Sequence, residues 1–101
     1  MQPLTDYLDT IRVHYDELRG AYHIQRIGIF GSTARGEQTP SSDIDVLVSF
    51  FDPPSMFRFL ELERRLSELL KRRVDLVTER ALKPAMRDEV LRDTIYAETK
   101  R

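Results

Sequence analysis

At 101 residues, with 41% hydrophobic and 33% charged positions, the chain has the makeup of a folded globular protein and is too short to carry a second domain with its own substrate pocket. Sixteen basic against 17 acidic side chains leave a formal net charge of -1, which gives no overall pull toward nucleic acid, so no direct nucleic-acid binding is expected. The absence of cysteine excludes disulfides, zinc-thiolate sites and thiol nucleophiles; with no secretory core and no apolar run near the ~20 residues of a membrane span, the expectation is one cytoplasmic domain, residues 1–101, with no membrane association.

Leu4, Leu8, Ile11, Tyr15 and Leu18 recur at helical spacing and predict one helix from 4 to 18, with Asp9, Arg12, Asp16 and Glu17 on its wet face and Gly20 as its C-cap. A short β-type run, Arg26 to Phe30, follows and places Ile27 and Ile29 on one face. The turn formers Thr39-Pro40-Ser41-Ser42 mark a loop. Asp43 to Phe50 then alternates, with Ile44, Val46, Val48 and Phe50 on one face and Asp43, Asp45, Leu47 and Ser49 on the other, which predicts a half-buried strand.

Asp52-Pro53-Pro54-Ser55 breaks that strand, and Phe59, Leu62, Leu66, Leu69 and Leu70 keep helical spacing up to the basic run Lys71-Arg72-Arg73. Phe51, Met56 and Phe57 read as core or lid residues, the alternative being a docking patch if they are exposed. Arg64 and Arg65 with the basic run read as a solvated helix face, the alternative being a basic surface for a partner or RNA. Val74 to Val77 forms a third strand with Asp75 opposite Val74 and Leu76 in face. A last helix from about Pro84 turns Met86, Val90 and Leu91 inward and ends before Ile95, and Glu98 to Arg101 reads as a charged, frayed tail.

The connection from Phe30 to Asp43 is short for a parallel crossover, so the first two strands are expected to be antiparallel neighbours. The helix between Phe50 and Val74 permits a right-handed parallel crossover, which would bring Asp45 and Asp75 to the same edge of a mixed sheet with helices on one side. Asp43 and Asp45, two positions apart, point the same way, and with Asp75 they form an all-oxygen donor set suited to a hard cation such as magnesium. On the other side of the turn, Gly31 allows close backbone approach, and Ser32 opens a helical turn whose free N–H groups attract phosphate. Arg35 either lends a cation to leaving phosphates or pairs with an acid such as Glu37.

Gly31-Ser32-Thr33-Ala34-Arg35-Gly36, then Ser42-Asp43-Ile44-Asp45-Val46-Leu47-Val48, then Asp75 together resemble the DNA polymerase β-like nucleotidyltransferases. Within them, the chain resembles the minimal nucleotidyltransferases of the MntA type encoded beside a HEPN-domain ribonuclease toxin. The resemblance runs from about Ile24 to Tyr96 and implies an α/β fold with a mixed sheet and flanking helices. It also implies Mg²⁺-dependent transfer of AMP from ATP to a tyrosine of the partner toxin, with release of pyrophosphate, so that the chain would be an antitoxin. By position, Asp43, Asp45 and Asp75 would be the catalytic and metal-binding acids, and Gly31 and Ser32 would grip the β- and γ-phosphates, with Arg35 a further nucleotide-side candidate. Two other readings stay open: a module that neutralises its toxin by binding alone, and nucleotidyl transfer to a small molecule.

Overall fold

A computed structural model of the chain describes residues 3–97; the tail expected from Glu98 lies outside them. The order of elements is α1 (Leu4–Val13), α2 (Tyr15–Tyr22), β1 (Ile24–Phe30), α3 (Gly31–Ala34), β2 (Ile44–Phe50), α4 (Met56–Leu70), β3 (Val74–Thr78), a single 3-10 turn (Glu79–Ala81), α5 (Pro84–Asp93) and β4 (Ile95–Ala97). The strands form one mixed sheet in the order β3-β2-β1-β4. β1 and β2 are antiparallel, as the short connection requires, and β2 and β3 are parallel across the α4 crossover.

The predicted first helix is two helices. At His14 the backbone leaves helical geometry (φ -100°, ψ 9°), with its N–H shared between the carbonyls of Thr10 and Ile11. The break lets each half serve a different neighbour: α1 touches α4 and β4, whereas α2 touches β1. Gly20 is not the C-cap, because α2 runs on to Tyr22 and ends at His23 in the left-handed region (φ 58°). That extra half-turn buries Tyr22, whose hydroxyl donates to Glu61 at 3.1 Å and whose ring lies 4.6 Å beneath the Arg58 guanidinium.

One face of the sheet meets α1, α2 and α4 in a single apolar cluster. Ile27 and Ile29 of β1, Ile44, Val46 and Val48 of β2, and Leu62 and Leu66 of α4 are essentially inaccessible in it. Burying side chains of this size is the main favourable contribution to the fold, at about 1.5–3 kcal/mol each. The i, i+4, i+8 row Leu62, Leu66, Leu70 faces the cluster along α4, which begins with the Ser55 hydroxyl accepting the Arg58 N–H at 3.2 Å.

β2 is not half-buried as its alternation predicts. Leu47 points away from Val46 and Val48 yet is 0% exposed, and neither it nor Val90 of α5 belongs to the main cluster. α5 lies on this second face, touching β1 and α3, with Arg87 donating to the Glu79 carbonyl and Glu79 paired in turn with Arg26 of β1. The sheet therefore has helices on both sides. Within α5 only Val90 is buried and Leu91 half-buried; Met86, expected inward, is 53% exposed because it falls in the first turn, beyond the sheet. Phe51, before the Pro53-Pro54 break, and Met56 and Phe57, after it, all expected as core or lid, are open to solvent.

Two features escape periodicity. β4 is only three residues long and pairs with β1 from Ile27 to Ile29, too short for alternation to register. At the opposite edge, α4 covers the outward N–H groups of β3: Glu63 accepts from Leu76 at 2.8 Å and Ser67 from Val74 at 3.1 Å.

Candidate functional site

The register places the candidate residues together. Asp45 stands directly opposite Asp75 across the parallel β2–β3 pair and opposite Phe30, the last residue of β1, across the antiparallel pair. Asp43 lies just before β2, two positions from Asp45, so the two side chains point to the same face about 6.5 Å apart along the strand. The acids thus form a short row across two adjacent strands. Asp43 and Asp45 are half-buried and Asp75 is exposed.

Gly31 closes the other side. Its φ of +75° is in the left-handed region, and a Cβ there would stand 2.3 Å from Asp45 Oδ2. Only glycine lets the turn after β1 press against the Asp45 carboxylate. Ser32 follows in the first turn of α3, whose N–H groups have no intrahelical acceptor. The turn continues through Arg35 N–H to the Gly31 carbonyl and Glu37 N–H to the Ser32 carbonyl.

Burial raises the Asp45 pKa above the ordinary carboxylate value, and the negative charges of Asp75 and then Asp43 raise it further, with Arg35 pulling the other way. This repulsion is what a divalent cation would relieve, and the all-oxygen donor set fits a hard ion. Among the described residues no three His, Cys, Asp or Glu side chains close into a metal cage. An open row fits magnesium, which keeps waters and substrate phosphates among its ligands.

Of the two roles open to Arg35, the fold displays the pairing. Its guanidinium donates to Glu37 Oε1 and to Asp93 Oδ2, each at 3.0 Å, tying the end of α3 to the end of α5. Its charge still reaches Asp45. Arg72, read from sequence as part of a solvated basic run, is instead a positioning residue: it donates to the carbonyls of Thr39, Pro40 and Ser42 and pins the loop that delivers Asp43. No spacing rule announces an arginine that reaches back thirty positions to backbone carbonyls.

Two depressions flank the sheet. An open groove of about 420 Å³, lined by Asp43 and Asp75 together with Leu60, Glu63, Arg64 and Arg73, runs along the outer side of β3. The larger one, about 670 Å³, lies at the opposite end of the strands among Phe50, Pro53, Phe59 and Thr78 and includes none of the candidate acids. The smaller groove is the one lined by candidate acids, Asp43 and Asp75.

A glycine-led turn set against paired strand aspartates on a mixed α/β sheet defines the class of enzymes that transfer nucleotidyl groups. The nucleotidyltransferase domain profile matches residues 11–97, and the chain belongs to that family. It is 42% identical over 96 residues to the protein adenylyltransferase MntA of Thermococcus cleftensis, covering 95% of this chain and 97% of that one. A solved structure described as a candidate minimal nucleotidyltransferase superposes with a TM-score of 0.77 at 37% identity, over 93% of this chain and 95% of the other. A toxin–antitoxin crystal structure with AMP-PNP superposes with a TM-score of 0.74 at 27% identity, over 93% and 74%.

Proposed function

We propose that this nucleotidyltransferase is an antitoxin that moves AMP from ATP to a protein hydroxyl, a tyrosine of a HEPN-domain ribonuclease toxin. The observation that carries the reading is the alignment of Asp45 with Asp75 beside Gly31, which sets the carboxylate row against the glycine turn that opens α3. The MntA relative's activity and the AMP-PNP of the toxin–antitoxin relative support the donor and the acceptor class. Asp43, Asp45 and Asp75 would hold two magnesium ions, which when bound neutralise the triphosphate and make the acceptor hydroxyl a better nucleophile.

The chain's own residues do the rest. Gly31 and Ser32 offer backbone N–H groups and a hydroxyl to the β- and γ-phosphates, which orients the α-phosphorus over the acids. Asp75, the most exposed of the three, faces the acceptor and takes or relays its proton. The acceptor oxygen bonds to the α-phosphorus as the bond to pyrophosphate breaks, and pyrophosphate leaves on the Gly31 side.

The test is intact-mass measurement of the cognate partner after incubation with this protein, ATP and Mg²⁺. Added AMP units are expected, and Asp43→Asn with Asp45→Asn should lower the rate by about 10³-fold or more. An inhibited partner that gains no mass would instead make the chain an antitoxin by binding alone.

A further inference from the structure

The groove beside β3 holds two arginines that the fold leaves unused. Arg64 and Arg73 line it together with Asp43 and Asp75. Among the described residues, neither guanidinium makes an ion pair, hydrogen bond or ring contact. The neighbouring arginines are committed elsewhere: Arg35 to Glu37 and Asp93, Arg65 to Glu17, and Arg72 to the 39–42 loop.

Their placement is set by strand register and by α4. Arg73 precedes β3 by one residue, and its carbonyl accepts the Ile44 N–H, which fixes it beside the start of β2. Strand alternation puts its side chain on the same side as Asp75, about 6.5 Å along. Arg64 follows Leu60 by one turn of α4 on the groove wall. The phosphate turn at Gly31 leaves from β1, on the other flank of β2 in the order β3-β2-β1-β4. In-line displacement requires attacking and leaving oxygens on opposite sides of the phosphorus. With pyrophosphate departing toward Gly31, the acceptor enters from the β3 side, through this groove.

We propose that Arg64 and Arg73 form an anion-holding acceptor subsite, selecting a hydroxyl that carries a negatively charged group beside it; this rests on the reading of the chain as a nucleotidyltransferase acting on protein. Guanidinium forks pair with carboxylate and phosphate alike, so the anion is either an acidic side chain flanking the acceptor tyrosine or the phosphodiester left by a first AMP transfer. The arginines take no part in bond exchange. They hold the acceptor while its oxygen bonds to the α-phosphorus, the phosphoanhydride breaks, pyrophosphate leaves with the electron pair and the hydroxyl proton passes to Asp75 or water.

The experiment compares the wild type with the double variants Arg64→Gln/Arg73→Gln and Arg64→Lys/Arg73→Lys, each checked for an unchanged melting profile, using the cognate partner, ATP and Mg²⁺. Initial rates and the intact-mass distribution of the partner are read together. The glutamine pair is expected to raise KM for the partner about tenfold while KM for ATP holds, and the lysine pair to recover much of the loss. A KM effect on the first addition identifies a flanking carboxylate. A mass distribution shifted toward singly modified partner identifies the phosphodiester. Unchanged partner KM and distribution, or an equal rise in KM for ATP, overturns the subsite. A partner that wild type leaves unmodified overturns the reading on which it rests.

Discussion

Asp45 is the residue in which fold and chemistry conflict. A carboxyl whose pKa is raised on folding binds its proton more tightly folded than unfolded. Folding stability therefore falls as pH rises from the unfolded value, about 3.9, to the folded one, and the full penalty persists above that. Asp45→Asn should melt higher than wild type at pH 7 in EDTA, with the difference vanishing near pH 3; an equal gain at both pH values would mean that charge is not the cause. Gly31→Ala should act in two ways. The left-handed backbone costs about 1–2 kcal/mol for a residue with a Cβ, measurable by urea denaturation. The 2.3 Å approach to Asp45 should displace that carboxylate and lower transfer by about 10²-fold. Asp43, Asp45 and the glycine turn were legible in the sequence through local rules, alternation on a strand and a small residue at a strand end, whereas Asp75 joined them only through the crossover topology and the family resemblance. Arg72 and the Asp93 partner of Arg35 were not legible, because each acts on a group far away in the chain.

At the scale of elements, periodicity identified what packs and missed where elements stop. The row Leu62, Leu66, Leu70 was readable as one face of α4, but the break at His14 and the run past Gly20 are decided by tertiary neighbours rather than by residue preference. Leu47 shows the same limit. Its position in the alternation reads as solvent-facing, yet it is fully buried, in a strand touched by α3 and by the 3-10 turn that lies about thirty residues further along the chain. Lys71 ends α4 with φ 56°, so Lys71→Gly should relieve left-handed strain and stabilise the protein by up to about 1 kcal/mol, seen as a higher urea midpoint at unchanged slope. Arg72→Ala should cost about 1 kcal/mol through its lost hydrogen bonds. Its sharper signature is faster amide exchange in the 39–42 loop than in β2, and equal protection there would remove its positioning role.

Over the whole molecule, the site is assembled from three strands that come together only after both the short antiparallel connection and the long parallel crossover have formed. Local sequence could predict that topology because connection lengths limit strand direction; it could not predict the second helical layer. A site built this way should report on folding through its ligand. Mg²⁺ with AMP-PNP should raise the melting temperature more than either alone, corresponding to about 2.7 kcal/mol at a hundredfold excess over Kd. Asp43→Asn/Asp45→Asn should abolish the synergy, and a shift that survived it would place the nucleotide elsewhere.

The covered flank of β3 bears on how the protein behaves in a crowd. A bare strand edge is a template on which a second chain can add itself, and long runs of such additions end in fibrils. By occupying the Leu76 and Val74 N–H groups with Glu63 and Ser67, α4 denies that template to other chains. Sheet growth from this side is opposed by side chains, so the flank nearest the acids keeps an open groove while these two N–H groups are withheld from backbone pairing with another chain.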